Sequence, residues 1–194
     1  MPNFAVFLSY VLVTSFTPGP NNIMSMSNAS RYGFRKSIRF NIGVFFGFFG
    51  IAVLCSIFSV ALFRFIPTIR LTMTCVGAAY ILWLAWKTYR SKPARAGEPG
   101  ELPSTFLSGV MLQFVNPKVI LYGITIFSTF IVPYYTSALV LGGFALLLAV
   151  VGFVSTCCWS LFGSVFQAFL MKNDRLFNGV MALLLLYCAV SLFF

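Results

Sequence analysis

Long apolar runs constrain the fold of this chain more than any other feature. Six such runs are bounded by charged residues or by Pro and Gly, and they cover residues 4–30, 42–63, 66–86, 105–132, 137–170 and 176–194. About 20 apolar residues suffice for a helix to cross a bilayer, and none of these runs alternates polar and apolar residues as a barrel strand does. The pattern therefore predicts an all-α, polytopic membrane protein with six transmembrane helices.

The composition supports this class and excludes others. Hydrophobic residues make up 60% of the 194 positions and charged residues 8%, whereas an average soluble domain has about 25% charged residues. The net charge of +10 does not indicate a nucleic-acid partner, because the basic residues are scattered between apolar runs. The five cysteines form no CxxC motif and histidine is absent, so we expect no metal site and no cofactor.

The segments between the runs alternate in positive charge. Ten basic residues fall on one side of the predicted membrane, and only Arg64 and Arg70 fall on the other. Basic residues accumulate on the cytoplasmic side of membrane proteins, so this bias predicts that both termini are periplasmic. We expect a multi-pass protein of the cell membrane, in contact with lipid.

A polar linker divides the chain nearly in half. Its sequence, RSKPARAGEPGELPS at residues 90–104, is rich in Pro, Gly and charge. It separates a first three-helix repeat, residues 1–89, from a second, residues 105–194. Because each half holds an odd number of spans, a duplicated half must enter the membrane from the opposite side. The sequence thus predicts two inverted three-helix repeats.

Each half contains an interruption in its first apolar run. The first is TPGPNN at residues 17–22 and the second is QFVNPKVILYG at residues 113–123, at matching places in the two halves. Paired interruptions of this kind are the best sequence indication of a transporter site near the middle of the bilayer. We expect two broken helices, with Pro20 and Pro117 at the first positions of the half-helices that follow.

The N-termini of the half-helices make the interruptions suitable for binding an anion. A helix N-terminus presents unpaired N–H groups and a positive dipole end, which favour a carboxylate. Lys118 adds a charge within an apolar run, which indicates a functional site. We predict that a substrate carboxylate binds between Lys118 and the N-termini after Gly19 and Asn116, while asparagines and unwound carbonyl groups bind the substrate ammonium. The candidate binding residues are Thr17, Pro18, Gly19, Pro20, Asn21, Asn22, Gln113, Asn116, Pro117, Lys118 and Tyr122.

Two alternatives are open for the depth of Lys118 in the membrane. In a helix that begins at Thr105, Lys118 lies about 20 Å along the axis, beyond easy reach of the headgroups, and faces the interior of the bundle. Alternatively, residues 105–116 form an interfacial helix, the span begins at Pro117, and Lys118 lies at the cytoplasmic headgroups.

Weaker motifs allow narrower predictions. Gly43 and Gly47 form a GxxxG motif, for which we expect close helix packing. Gln113 and Tyr122 either line the site or only pack beside it.

Three motifs make the chain similar to a known family. TPGPNN, GAAYILWLAWK at residues 77–87 and LQFVNPKVILYG at residues 112–123 resemble the LysE/RhtB family of bacterial amino-acid exporters, over essentially the whole chain. The second half is most similar to the branch of cysteine and O-acetylserine exporters. The resemblance implies an amino-acid substrate, six helices in two inverted repeats in the inner membrane, and signature positions at Pro18, Gly19, Pro20, Asn21, Asn116, Pro117 and Lys118.

One position departs from the family pattern. Many relatives have an acidic residue beside a glycine in the second span, whereas here Gly47 is followed by Phe48. The three acidic residues, Glu98, Glu101 and Asp174, all fall in predicted loops. Proton coupling through a buried carboxylate therefore lacks an obvious carrier in this chain.

Together, these observations predict an exporter and not an enzyme. We expect it to move small neutral amino acids, cysteine and O-acetylserine first, from cytoplasm to periplasm by alternating access. Catalytic residues are not expected, and a homo-oligomer is left open. The alternative in the same class is an exporter of homoserine or threonine. Alternatives in other classes are a membrane thiol oxidoreductase using Cys157 and Cys158, and a lipid-translocating bundle.

Overall fold

The part of the chain that the structure describes is mostly helical and contains no strand. This computed structural model describes residues 4–90, 105–166 and 174–193, except for the side chains of residues 59–74 and 174. Apart from Arg90, the predicted linker lies outside the described residues. The helices are α1 (Phe4–Phe16), α2 (Pro20–Tyr32), α3 (Phe34–Arg90), α4 (Phe106–Val115), α5 (Pro117–Thr125), a π-helix (Ile126–Ile131), α6 (Ala138–Val165), α7 (Asp174–Val190) and a 3-10 helix (Ser191–Phe193).

The first predicted interruption separates α1 from α2. Pro18 and Pro20 provide no amide N–H for a continuous helix, so α1 ends at Phe16 and Pro20 takes the first position of α2. α2 ends at Tyr32, and Gly33 caps it with a φ of 80°, which suits glycine. The prediction of a broken first helix is confirmed.

The second predicted interruption separates α4 from α5. Asn116 leaves the helical conformation, and Pro117 follows at the first position of α5. The helices on the two sides, Phe106–Val115 and Pro117–Ile131, are bent by 66°. This broken helix is confirmed as well, including the predicted places of Asn116 and Pro117.

Helix α3 differs from the prediction of two separate spans in this region. It is assigned as one helix of 57 residues, which would be about 86 Å long if straight. However, Gly47 contacts Val110 and Gly77 contacts Pro117, two residues that lie close together on α4 and α5. The axis of α3 therefore turns back between Gly47 and Gly77, although the whole range is helical.

Glycines hold the first part of α3 tightly against α4. A Cβ atom on Gly43 would collide with the carbonyl oxygen of Phe106, and one on Gly47 would lie 2.9 Å from the Cα of Val110. The predicted packing role of the GxxxG motif is confirmed. Further along, Gly123 of α5 lies beside Cys55, so this part of α3 runs in the same direction as α4 and α5.

Three described helical segments are long and apolar enough to cross a membrane. They are Phe34–Phe58, Ala138–Val165 and Arg175–Phe193, with mean hydropathy values of 2.1, 2.5 and 2.2. The bent pair formed by α4 with α5 and the π-helix would be a fourth, whereas α1 is a shorter apolar helix. The protein is thus an all-α, multi-pass membrane protein. The number of six spans stays a prediction.

The interior contains two apolar clusters with a polar layer between them. One cluster includes Phe7, Phe127 and Leu148, and the other includes Ile23 and Ile81. The breaks lie at the level between the clusters. Helix α2 is polar and nevertheless buried. Ten of its 13 residues are buried, and they include serines and asparagines. Polar groups are costly to bury without partners, so a buried polar helix points to a functional centre.

Candidate functional site

Lys118 reaches from one break to the other. It lies in the first turn of α5, and its Nζ donates a hydrogen bond to the Oγ1 of Thr17 at 3.2 Å. A Cβ atom on Gly19 would lie 3.1 Å from the same Nζ, so the absence of a side chain at Gly19 lets the ammonium approach the backbone of the first break. Lys118 therefore faces the protein interior. Its depth in the membrane stays a prediction.

The N-terminus of α2 is open at the first break. Gly19 precedes the helix in an extended conformation and has no side chain to cap it. The N–H groups of Asn21 and Asn22 make no hydrogen bond to any residue that the structure describes. These two donors, the positive end of the helix dipole and the Lys118 ammonium meet at one place, which suits an anion.

The N-terminus of α5 is closed at the second break. The Oδ1 of Asn116 accepts a hydrogen bond from the N–H of Lys118 at 3.2 Å, and the Asn116 carbonyl accepts one from the N–H of Val119 at 3.1 Å. Pro117 has no N–H to satisfy. The second break therefore offers no free amide donor in its first turn, and its contribution to the site is Lys118 itself.

The asparagines of the first break are anchored by hydrogen bonds. Asn21 and Gln113 exchange two bonds between their side-chain amides, at 2.9 and 3.0 Å. Asn22 donates to the carbonyl oxygens of Ser15 and Thr17 and accepts a bond from the Oγ of Ser155 at 3.3 Å. These bonds fix the unwound segment against α4 and α6.

A narrow cavity lies beside Lys118, between the two breaks, α3 and α6. Its volume is about 70 Å³, well below the roughly 300 Å³ at the lower limit of typical ligand pockets. The breaks contribute Gly19, Pro20, Asn21, Asn22, Asn116 and Lys118, and α3 and α6 contribute Val44, Phe48, Ala149, Gly152, Phe153 and Thr156.

A wide cavity of about 560 Å³ lies on the other side of the same lysine. It extends towards the ends where α1 begins and α7 finishes, because Tyr10, Thr125 and Tyr187 line it. The residues that line both cavities are Thr14, Pro20, Asn116, Lys118 and Tyr122. These shared residues form the wall between the two cavities.

Three helices are tied together at the end of the bundle away from the wide cavity. Arg31, in the last turn of α2, donates to the carbonyl oxygen of Thr88 at 3.3 Å and to the Oδ1 of Asn178. Thr88 lies near the end of α3 and Asn178 near the start of α7. The arginine therefore joins α2, α3 and α7 at this end.

Most of the predicted site residues are brought together. Gly19, Pro20, Asn21, Asn22, Asn116, Lys118 and Tyr122 line the narrow cavity, and Thr17 and Pro18 line the wide one. Pro117 lies beside the site, packed on Gly77. Gln113 is fully buried and lines neither cavity, so of the two alternatives for this residue the structure supports packing beside the site, as the partner of Asn21.

The sequence prediction missed the residues that α3 and α6 contribute. Phe48, Gly152 and Thr156 line the narrow cavity, and Ser155 holds Asn22. The sequence could have indicated that one face of α6 is small and polar. Gly152, Ser155 and Thr156 follow the i, i+3, i+4 spacing of one helix face within an otherwise apolar helix.

The cysteines form neither a disulfide nor a metal-ligand cluster in the described residues. All five have free thiols. In the described ranges, no three His, Cys, Asp or Glu side chains come together as metal ligands would. The Nδ2 of Asn41 donates a hydrogen bond to the Cys157 sulfur at 3.8 Å.

Apolar helices that break around a partly buried charge, with a cavity on each side of it, are typical of a membrane transporter. A family model described as LysE type translocator matches residues 12–194. The chain therefore belongs to the LysE type translocator family, whose members are transporters and not enzymes. The resemblance found in the sequence is confirmed.

Curated relatives are similar over nearly their whole length. A cysteine/O-acetylserine efflux protein of Klebsiella pneumoniae is 42% identical, over 97% of this chain and 95% of its own. Proteins of the same name from Escherichia coli strain K12 and Salmonella typhimurium are 41% and 43% identical, each over 98% of this chain and 97% of their own. No solved structure matches the chain.

Proposed function

We propose that this protein exports small neutral amino acids, cysteine and O-acetylserine first among them, from the cytoplasm to the periplasm. Support comes from the family and from relatives that carry the name cysteine/O-acetylserine efflux protein. The observation that carries the proposal is the position of Lys118, whose ammonium meets the open N-terminus of α2 between two cavities.

The substrate carboxylate binds at the first break. Lys118 Nζ supplies a positive charge, and the free N–H groups of Asn21 and Asn22 supply two directed donors. Hydrogen bonds to an ionised group are roughly twice as strong as neutral ones, and more so where water is excluded. The second N-terminus, capped by Asn116, positions the lysine and adds its dipole.

The substrate ammonium points away from Lys118, because like charges repel. Oxygen acceptors for this ammonium are available among the residues of the narrow cavity. The hydroxyl groups of Ser15 and Tyr122 lie 3.5 Å apart and both residues line the narrow cavity. The side-chain carbonyl oxygens of Asn21 and Asn22 each accept one bond within the protein and keep a second lone pair.

The wider architecture is part of the proposal. Six spans form two inverted repeats, residues 1–89 and 105–194, joined by a cytoplasmic linker at 90–104, with both termini periplasmic in an inner membrane. The first part of α3 runs in the same direction as α4 and α5, as spans two and four of this order require. The transport path lies within one chain, so the proposal holds for a monomer and a homo-oligomer alike.

Alternating access assigns the two ends of the bundle different roles. In the proposed orientation, Arg31 and its partners Thr88 and Asn178 lie on the cytoplasmic side and hold it closed. The wide cavity then lies on the periplasmic side of Lys118. In this proposal, the described arrangement is the state with its cytoplasmic side closed and its periplasmic side open.

The test is the removal of the Lys118 charge. Purified protein in liposomes preloaded with labelled cysteine should show efflux, and Lys118→Met should lower its initial rate by about tenfold or more, since bonds to charged groups contribute about 1.5–3 kcal/mol. Lys36→Met is the matched control, because Lys36 is exposed and lines neither cavity. Full efflux by Lys118→Met would remove the lysine from the mechanism.

A further inference from the structure

The narrow cavity has two chemically different walls. The breaks form a polar wall with Lys118 and the amide groups of Asn21 and Asn22. The opposite wall is mostly apolar and consists of Val44, Phe48, Ala149, Gly152, Phe153 and Thr156. A zwitterionic amino acid has the same division, with charged main-chain groups at one end and the side chain at the other.

Gly152 leaves a gap in the apolar wall. A Cβ atom on Gly152 would meet only the Cδ1 of Phe48, at 3.7 Å, which is an ordinary contact. Gly163 on the same helix is different, because a Cβ atom there would collide with the carbonyl of Met26. Helix packing therefore explains Gly163 but not Gly152, although glycine is among the least favourable residues in a helix interior.

We propose that the substrate side chain enters the narrow cavity and that Gly152 sets the length of side chain accepted. This inference rests on the proposed amino-acid export and adds a residue that determines the substrate range. The volume of about 70 Å³ corresponds to a few water molecules at roughly 30 Å³ each, so it holds a short side chain. The main-chain groups of the substrate then lie at Lys118 and Tyr122, which the wide cavity shares. The CH₂–SH group of cysteine fits it, and the longer acetyl ester of O-acetylserine needs the space over Gly152.

The chemistry of this wall also selects among short side chains. The rings of Phe48 and Phe153 offer sulfur–aromatic contacts to a thiol. No residue of the wall carries a charge, so a charged side chain would lose its water without gaining a partner. Thr156 already donates its hydroxyl hydrogen to the Phe153 carbonyl at 2.9 Å, so it can only accept a bond from a ligand.

The experiment varies the volume at Gly152 against a set of substrates. Gly152→Ala and Gly152→Val are compared with wild type in liposomes preloaded separately with alanine, cysteine and O-acetylserine. Gly142→Val is the matched control, because Gly142 lies on the same helix, lines neither cavity, and its added Cβ would meet nothing within 4 Å.

We expect Gly152→Val to lower O-acetylserine efflux by about tenfold or more while alanine efflux changes less than about threefold, since a methylene in a fitted pocket discriminates by about 10- to 200-fold. Gly152→Ala should give a smaller shift in the same direction, and it carries the test alone if the valine variant does not fold. Gly142→Val should leave the ratio between substrates unchanged.

Two results would overturn the inference. One is an equal loss for all three substrates in folded Gly152 variants, and the other is an unchanged ratio in both variants. Failure of the wild-type protein to release any of the three substrates would instead overturn the proposed function, so the two failures are distinguishable.

Discussion

The two broken helices resemble each other in sequence and differ in how they end. Both restart with a proline at the first helical position, Pro20 in α2 and Pro117 in α5. Asn116 caps α5 with its side chain, whereas Gly19 has none and leaves the first amides of α2 unbonded. The same device thus gives one open N-terminus and one closed one.

The surroundings of the two breaks differ as well, because the first break borders a cavity and the second is tightly packed. Gly19 faces the flexible end of Lys118 and borders the narrow cavity. Pro117 is packed against Gly77 of α3, with no room for another atom. The second break is therefore a rigid mount for the lysine, and the first break is the one to which the proposed function assigns the ligand.

The largest effect should come from disturbing the rigid mount. A Cβ atom on Gly77 would collide with the ring of Pro117 and lie 2.7 Å from the Val115 carbonyl. Gly77→Val should therefore abolish transport and lower the free energy of unfolding by about 1–3 kcal/mol or more, measured by thermal unfolding in detergent. Gly50→Val, at a position of the same helix with nothing within 4 Å, should change neither. Unaltered transport in Gly77→Val would contradict the rigid mount.

A carboxylate placed at the open break should act as a tethered competitor. Because an added Cβ at Gly19 would lie 3.1 Å from Lys118 Nζ, Gly19→Asp should cap α2, pair with the lysine, and occupy the anion site. We expect cysteine efflux to fall about tenfold while the unfolding temperature rises. Gly19→Asn is the neutral control and should retain more transport. Normal efflux by Gly19→Asp would place the carboxylate site elsewhere.

The smallest effect should come from opening the closed N-terminus. Asn116→Ala removes the acceptor for the Lys118 N–H and should lower the free energy of unfolding by about 1 kcal/mol, the usual value for a lost cap. Asn116→Asp should restore that stability, since aspartate caps equally well. Thermal unfolding of the three proteins checks the order. Equal stability of Asn116→Ala and wild type would mean that the cap contributes nothing.

Local rules were enough to predict the breaks. The prolines, Gly19 and Asn116 act on their own backbone, so TPGPNN and VNPK predicted where the helices stop and restart. Membership of an all-helical membrane class followed from composition in the same way.

The partners across the bundle could not be predicted in this way. Gln113 was a candidate ligand residue, but it is the partner of Asn21 from 92 positions away. Gly152 and Phe48 reach the cavity only because α6 and α3 pack beside the breaks. Such contacts depend on which helices pack together, and the periodicity of a single helix does not predict its neighbours. The same holds for the path of α3, whose axis turns back although the whole range is helical.

The paired amides of Asn21 and Gln113 limit how the two halves of the molecule can rearrange. Two hydrogen bonds join α2 to α4, and both must break at once if these helices separate. In the proposed alternating access, a tilt of one half about this pair keeps both bonds intact. Loading and release then come from movement at the ends of the bundle, while α2 and α4 stay joined at its centre.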